Sequence, residues 1–126
     1  MLCYCGSNQD YSKCCQKFHS GAELPPTAEA LMRSRYSAFA TKNLDYLFQT
    51  LHPQNRFEFD LAANRQWADG AEFKSLEIIR AEGSGNKGQV EFKATYVMQD
   101  ETHVHHEIGT FRKQDGQWFY KQGRIL

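Results

Sequence analysis

The chain has 126 residues, of which fifteen are basic and fifteen are acidic, and its sequence pI is near 7.0. This balance removes the usual electrostatic argument for a dedicated nucleic-acid-binding protein. The N-terminus lacks the basic and apolar segments of a signal peptide. The sequence also has no run of about eighteen apolar residues, so no transmembrane helix is predicted. We therefore expect one ordinary domain with a small appendage, located in the cytoplasm.

All four cysteines lie within the first fifteen residues, as two pairs, Cys3 with Cys5 and Cys14 with Cys15. Four thiolates are the number that a closed tetrahedral zinc site requires, and iron accepts the same ligands. The alternative is two disulfides, for which four cysteines allow three connectivities. Each would close very short loops with little entropic gain, and thiols persist in a reducing cytoplasm. The spacing and the expected compartment therefore favour a metal site.

The spacing of this cluster also resembles a known motif. The segment Cys3–Cys15, which reads CYCGSNQDYSKCC, is similar to the SEC-C motif, the zinc knuckle at the C-terminus of the translocase motor SecA. The chain departs from that motif at Tyr4, where proline is usual, and at Asn8, where glycine is usual, and neither position is a ligand. His19 could also bind zinc, but we expect it at the surface. The resemblance implies a knuckle over residues 1–20 with the ligands Cys3, Cys5, Cys14 and Cys15.

A linker and three helices are predicted after the cysteines. Residues 21–26 contain a glycine and a Pro-Pro pair, which are incompatible with a continuing helix. Apolar residues at helical spacing then predict amphipathic helices over about 28–39, 44–51 and 57–68. Thr27 is a suitable N-cap for the first of them, and Trp67 in the third is expected in the core.

Arg35 interrupts the apolar face of the first predicted helix. At about 100° per residue, it falls within the arc that the core-facing residues define. A guanidinium in that position needs a partner, because an unpaired buried charge is very costly. One interpretation is a structural ion pair or a set of carbonyl hydrogen bonds. The other is a pocket that receives an anionic or polar ligand.

The second half of the chain predicts an antiparallel meander. Alternating apolar and polar residues indicate half-buried strands, and Asp115-Gly116 is typical of a hairpin turn. The segment Gly83–Gly88 is expected to break the chain between the first two strands. The predicted strands are 73–81, 90–98, 102–113 and one that runs from 117 to 121 or beyond. Helices followed by such a meander indicate an α+β fold and exclude a parallel doubly wound sheet.

A second resemblance covers nearly the whole chain. The segment Pro26–Phe39, which reads PTAEALMRSRYSAF, resembles the signature helix of the YchJ family, and so do Asp45-Tyr46-Leu47 and His52-Pro53. Those proteins are small bacterial chains of uncharacterised function, with a SEC-C knuckle ahead of a nuclear-transport-factor-like domain. The resemblance implies such a domain over residues 27–126. Its helices would pack on a curved antiparallel sheet, the cystatin-like cone, around a cone-shaped cavity.

The third strand carries polar residues that such a cavity could use. His103, His105 and Glu107 alternate onto one face, a pattern that can hold a metal ion but is also common on solvated faces. The YchJ family usually reads His-Glu-Arg-Ser-x-Phe here, whereas isoleucine and glycine replace the arginine and serine in this chain, so the role of that arginine is not carried over. A pair between Glu107 and Arg35 across the cavity is a hypothesis. The cavity candidates are Arg35, Tyr36, His52, Tyr96, His105 and Glu107.

Two functions follow from these features. The first is a binding module, in which a closed zinc knuckle contacts a protein partner such as a chaperone or the ribosome, or an acidic lipid surface. The second is a small-molecule-binding protein or enzyme that uses the cavity, although fold analogy is weak support for chemistry. No nucleophile triad, phosphate loop or nucleotide fingerprint is present, so no catalytic residue is assigned. The sequence favours the binding module.

Overall fold

The computed structural model describes residues 1–126, with short helices first and a sheet after them. The helical elements are a 3₁₀ turn at Tyr11–Lys13, α1 at Gln16–His19, α2 at Ala28–Ala40, α3 at Leu44–Gln49, a second 3₁₀ turn at Pro53–Glu58 and α4 at Leu61–Gly70. The strands are β1 at Glu72–Ser84, β2 at Lys87–Met98, β3 at Glu101–Gln114 and β4 at Gln117–Ile125. This order confirms the predicted α+β class.

The four strands form one antiparallel sheet in the order β1-β2-β3-β4, as a meander requires. Register shifts in β1 and between Thr110 and Phe111 mark irregularities of the bulge kind, which bend and twist a sheet. The predicted break at Gly83 was wrong, because Gly83 pairs with Gly88 and β1 continues to Ser84. The first turn then consists of residues 85–86 alone, and Gly85 has the positive φ of 61° that such a tight turn needs.

The helices begin where side chains can accept hydrogen bonds from their first backbone N–H groups. Thr27 Oγ1 accepts from the N–H of Ala30 at 3.0 Å, so α2 begins where predicted. The predicted third helix over 57–68 is instead two elements. Asp60 caps α4 by accepting from the N–H of Ala63, and the preceding residues form the 3₁₀ turn. The apolar spacing at 57–61 did not reveal that Asp60 is the better N-cap.

The main core lies between α2 and the concave face of the sheet. Leu31, Val90 and Phe111 are fully buried there, and a second apolar cluster joins α2, α3 and α4. The buried cysteines form a third, separate cluster. None of the helices has the length and apolarity needed to cross a membrane. Helix α2 therefore contacts both the sheet and the other helices, and it positions the candidate sites described next.

Candidate functional site

The N-terminal segment folds into a small loop that returns the second cysteine pair to the first. The N–H of Cys3 donates to the carbonyl of Gln9 at 2.8 Å, and an isolated bridge joins Leu2 to Asp10. Gly6 and Asn8 take the positive φ values that reverse the chain, 80° and 65°. Asparagine thus serves where the SEC-C pattern has glycine, because its side chain tolerates the left-handed conformation.

The four cysteines converge on one point. Their sulfurs all lie within 4.8 Å of one another, with Cys5 Sγ 3.5 Å from Cys14 Sγ and Cys14 Sγ 3.9 Å from Cys15 Sγ. All four are free thiols, and only Cys14 is partly exposed. A tetrahedron with Zn–S distances of about 2.3 Å places its sulfurs about 3.8 Å apart. The donor set and its spacing therefore fit a four-coordinate metal ion.

The thiols differ in their pKa values. A hydrogen bond from Cys15 lowers the pKa of Cys5 to about 4, and the same contact raises the pKa of Cys15. Burial raises the pKa of Cys14, whose sulfur also lies 3.1 Å from Ser7 Oγ. The cluster thus stabilises a thiolate, which is the form that binds metal.

The knuckle, residues 1–20, is docked against one face of α2. Arg33 Nη1 donates to the carbonyl of Cys5 at 2.7 Å, while Arg33 Nε pairs with Glu29 at 3.0 Å. Cys3 Sγ lies 3.8 Å from Ser37 Oγ. These contacts join a polar stripe of α2 directly to the cysteine loop, so the knuckle is packed on the helix.

His19 is part of this junction, and the expectation of a surface position was wrong. Its Nε2 donates to the carbonyl of Ser34 at 2.8 Å, which leaves Nδ1 to accept from the hydroxyl of Tyr11 at 2.7 Å. Its ring also meets Tyr46 edge-on. Burial lowers the pKa of His19, consistent with a neutral ring. The sequence missed this role because Ser34 approaches only through the packing of α2.

A cavity of about 230 Å³ opens on the opposite side of α2, between that helix, α4 and the sheet. Four of the six predicted cavity residues line it, namely Arg35, Tyr36, His105 and Glu107. The other lining residues are Met32, Phe39, Asn64, Trp67, Phe73, Phe92, Ala94 and Tyr120. A wider groove of about 360 Å³ runs beside Trp118, but it is open and contains no buried titratable group.

The two remaining candidates lie elsewhere. His52 is buried, and its Nδ1 accepts from the N–H of Gln54 at 3.2 Å while its ring meets Phe119 edge-on. Tyr96 stacks on His103, with ring centroids 5.3 Å apart. His52 therefore caps the second 3₁₀ turn, and Tyr96 packs outside the cavity lining. His103 does not join His105 and Glu107 in a second group able to share a metal ion.

Arg35 is buried and makes its hydrogen bonds with one nitrogen. Nη1 donates to the carbonyl of Leu47 at 2.9 Å and to Thr50 Oγ1 at 2.6 Å, and the guanidinium lies 4.7 Å from the centroid of the Tyr120 ring. Burial lowers its pKa to about 10, so the side chain is charged at neutral pH. The first interpretation was correct in part, because the partners include a carbonyl but no ion pair.

Glu107 has other partners than Arg35, so the hypothesis of a direct pair was wrong. His105 Nε2 donates to Oε1 at 2.8 Å, and the hydroxyl of Tyr120 donates to Oε2 at 2.8 Å. The Tyr120 ring thus contacts both Arg35 and, through its hydroxyl, Glu107. Gly123 permits this arrangement, because a Cβ at that position would collide with Glu107 and the Tyr120 hydroxyl.

Tyr36 carries the unexplained polar group of the cavity wall. Its side chain is only 3% exposed, and its hydroxyl is buried without a hydrogen-bond partner. Burial raises its pKa to about 12, so the hydroxyl keeps its proton. A buried donor without a partner is rare and costs free energy.

Sequence reasoning missed Tyr120 and misplaced Trp67. Trp67 is half-buried on the cavity wall, where its ring lies 5.9 Å from that of His105 and 5.7 Å from that of Phe73. Tyr120 lies in β4, where alternation predicts an inward residue but not its partners. The aromatic residues of α4 and β4 were visible in the sequence, but only the tertiary structure shows that Trp67 and Tyr120 line the same cavity.

The fold and the cysteine cluster together define a class of protein, a cysteine knuckle followed by an α+β domain with helices packed on a curved antiparallel sheet. Residues 27–123 match the family described as YchJ, middle NTF2-like domain. The chain belongs to the YchJ family, whose curated relatives are called UPF0225 proteins.

The relatives and solved structures agree with this assignment. A UPF0225 protein of Geobacter sulfurreducens is 38% identical over 125 residues, which covers 97% of this chain and 78% of the relative. The solution structure of a SEC-C motif containing protein from Rhodopseudomonas palustris has a TM-score of 0.94 at 36% identity and covers 100% of this chain and 99% of that one. A crystal structure of a SEC-C motif containing protein from Psychrobacter arcticus has a TM-score of 0.87 at 29% identity and covers 100% and 83% of the two chains.

Proposed function

We propose that this protein binds a small molecule in the cavity and that the knuckle, on the other side of α2, binds a structural zinc ion. The observation that carries the proposal is the buried hydroxyl of Tyr36, which has no partner on a wall that also presents the charged Arg35. Buried donors without a partner are rare in native proteins, and an acceptor on a bound molecule would account for this one. The proposal assigns binding and no catalytic step.

Zinc is the metal proposed for the knuckle, with Cys3, Cys5, Cys14 and Cys15 as ligands. A site with four protein thiolates is closed, so its zinc would act structurally and would supply folding free energy rather than a reactive water. Residues 1–20 form this knuckle, 21–26 the linker and 27–126 the ligand-binding domain. Such a thiolate site suits a reducing compartment, in agreement with a cytoplasmic location.

Elemental analysis of freshly purified protein tests the metal. One equivalent of zinc per chain, with no titratable thiols until a chelator is added, is the expected result. Iron in place of zinc would change the metal but keep the site, whereas two disulfides and no metal would reject it.

A fragment screen by NMR tests the ligand-binding function. Metal-loaded protein is titrated with a set of acidic, basic and neutral fragments, and the indole N–H of Trp67 and the ring signals of Tyr36 report on the cavity. Hits that shift these signals are expected. The matched signal is the indole of Trp118, which lies outside this cavity. Shifts at neither Trp67 nor Tyr36 across the set would reject the function.

A second candidate function, a protein-docking knuckle, has its own support. Met1, Leu2 and Tyr4 are 81%, 63% and 41% exposed, an apolar patch beside the metal site. Capture from lysate with the wild type, with the double variant Leu2→Ser, Tyr4→Ser and with a Cys14→Ser, Cys15→Ser variant tests it. Partners lost with both variants would support docking through the knuckle, and an unchanged set of partners would reject it.

A further inference from the structure

The cavity wall contains donors that are not fully used. Both carboxylate oxygens of Glu107 already accept a hydrogen bond, one from His105 and one from Tyr120. Two side chains of α2, in contrast, have donors without partners. Arg35 uses Nη1 for both of its hydrogen bonds, and the hydroxyl of Tyr36 has none. A molecule that bonds to these two side chains must therefore offer acceptors.

The positive charge of Arg35 favours an anionic group as the acceptor. Arg35 is only 9% exposed and bonds to neutral groups, and Glu107 is the carboxylate whose charge acts on it. A buried guanidinium without a counter-ion is costly, and a planar carboxylate matches its fork with two parallel hydrogen bonds. Glu107 acts on Arg35 without a direct contact, because the Tyr120 ring packs on Arg35 while the Tyr120 hydroxyl and His105 bind the two Glu107 oxygens.

The remaining lining residues indicate which kind of ligand fits the cavity. Eight of the twelve lining residues are hydrophobic, including the rings of Phe39, Trp67, Phe73 and Phe92. At about 230 Å³ the cavity is smaller than the roughly 300–1,000 Å³ of pockets for drug-sized ligands. Aromatic walls favour a planar ring through offset or edge contacts.

From these observations we propose that the cavity binds a small aromatic carboxylic acid, with its carboxylate on Arg35 and the hydroxyl of Tyr36 and its ring against the aromatic wall. This assignment rests on the proposed ligand-binding function and names its ligand class. Both residues lie on α2 and line the same cavity, Arg35 beside Tyr120 and Tyr36 beside Phe73.

Three probes of one shape test the assignment: 3-phenylpropionate, 3-phenylpropionamide and 3-phenylpropylamine. Each is titrated into the metal-loaded full chain while the Trp67 indole and Arg35 Nε–H signals are followed by NMR. The carboxylate is expected to bind at least about tenfold more tightly than the amide, since a charge-assisted, bidentate contact replaces a neutral one. The amine is expected to bind most weakly.

Tyr36→Phe is the informative variant, because it removes a hydroxyl that bonds to nothing in the protein and keeps the ring. It should weaken the binding of 3-phenylpropionate severalfold and leave the affinity for the amine unchanged. The unfolding temperature of the variant should equal or exceed that of the wild type. Arg35→Lys keeps the charge but loses the planar fork, and it should reduce the preference for the carboxylate over the amide. Arg35 also donates hydrogen bonds to Leu47 and Thr50, so its replacement weakens the fold. If Arg35→Lys does not fold, Tyr36→Phe still tests the proposal.

Each outcome has one meaning. Amide or amine binding as tight as the carboxylate at the Trp67 signal overturns the carboxylate assignment and leaves the ligand-binding function standing. An unchanged affinity in Tyr36→Phe overturns the role of that hydroxyl. If none of the three probes shifts Trp67 while other fragments do, only the ligand class is wrong, and if no fragment does, the proposed function is wrong as well.

Discussion

Helix α2 separates two regions that differ in how their polar groups are satisfied. On the knuckle side, Arg33, Ser34 and Ser37 contact the cysteine loop or its flanking histidine, and His19 bonds through both ring nitrogens. On the cavity side, Arg35 donates all its hydrogen bonds through one nitrogen, and the hydroxyl of Tyr36 makes no hydrogen bond. The knuckle face is thus satisfied within the protein, whereas the cavity face has unused donors, which is the basis of the proposed ligand binding.

Metal removal should have the largest effect and should be confined at first to the knuckle. Chelation, or Cys5→Ser, removes binding free energy that is on the order of 10 kcal/mol for structural zinc sites, so residues 1–20 should unfold. NMR should show the amide signals of this segment collapsing to random-coil positions while those of the β2–β3 pairing persist. Lys13→Ser is the matched control, since Lys13 is exposed and lies beside Cys14. Retained metal stoichiometry and a folded knuckle in Cys5→Ser would contradict the site.

Gly123→Ala should be the most damaging single change on the cavity side. The added Cβ would displace Glu107 and Tyr120, break their hydrogen bond and cost about 1–3 kcal/mol in the free energy of unfolding. Urea denaturation measures the loss. Gly70→Ala is the control, because its Cβ would meet only the flexible tip of Met98 at 3.2 Å. Equal stability of the two variants would show that the Glu107–Tyr120 contact is not tightly held.

Arg33→Leu tests whether the two sides of α2 are independent. The variant loses the hydrogen bond to the carbonyl of Cys5 and the pair with Glu29, for an expected cost of about 1 kcal/mol. Hydrogen exchange in the knuckle should accelerate, with no change at the Trp67 indole. The exposed Arg65 provides the control in Arg65→Leu. A shift at Trp67 comparable to that in the knuckle would show that the regions are coupled.

The smallest predicted effect is the pH dependence from His52. Burial lowers the pKa of this side chain, so its neutral form is favoured in the folded protein. Its contribution to stability is complete above its unfolded pKa of about 6.5 and decreases as the pH falls below that value. His52→Asn keeps an acceptor for the N–H of Gln54 but does not titrate, so the decline in urea midpoint from pH 7 to pH 5 should be smaller than in the wild type. An equal or steeper decline in the variant would reject the prediction.

The sequence by itself determined the features that depend on nearby residues. The cysteine pairs are nine to twelve residues apart, and Gly6 and Asn8 can reverse the chain, so the cluster followed from local spacing. Periodicity predicted α2 and the meander, and the position of Arg35 on an apolar face predicted either a set of structural partners or a ligand pocket. Errors at Gly83 and Asp60 arose where two local signals competed and the sequence offered no measure of their relative strength.

Only the tertiary structure decided which groups meet and which are left without partners. Glu107 reaches Tyr120 because β3 pairs with β4 across a register shift, and Trp67 reaches the cavity because α4 packs over the sheet. The docking of His19 on Ser34 likewise depends on contacts between elements distant in sequence. Hydrogen bonding is satisfied over a few ångströms of space, and a one-residue change in register reverses which face a side chain occupies. The free donors of Arg35 and Tyr36, on which the ligand proposal rests, are therefore a property of the fold.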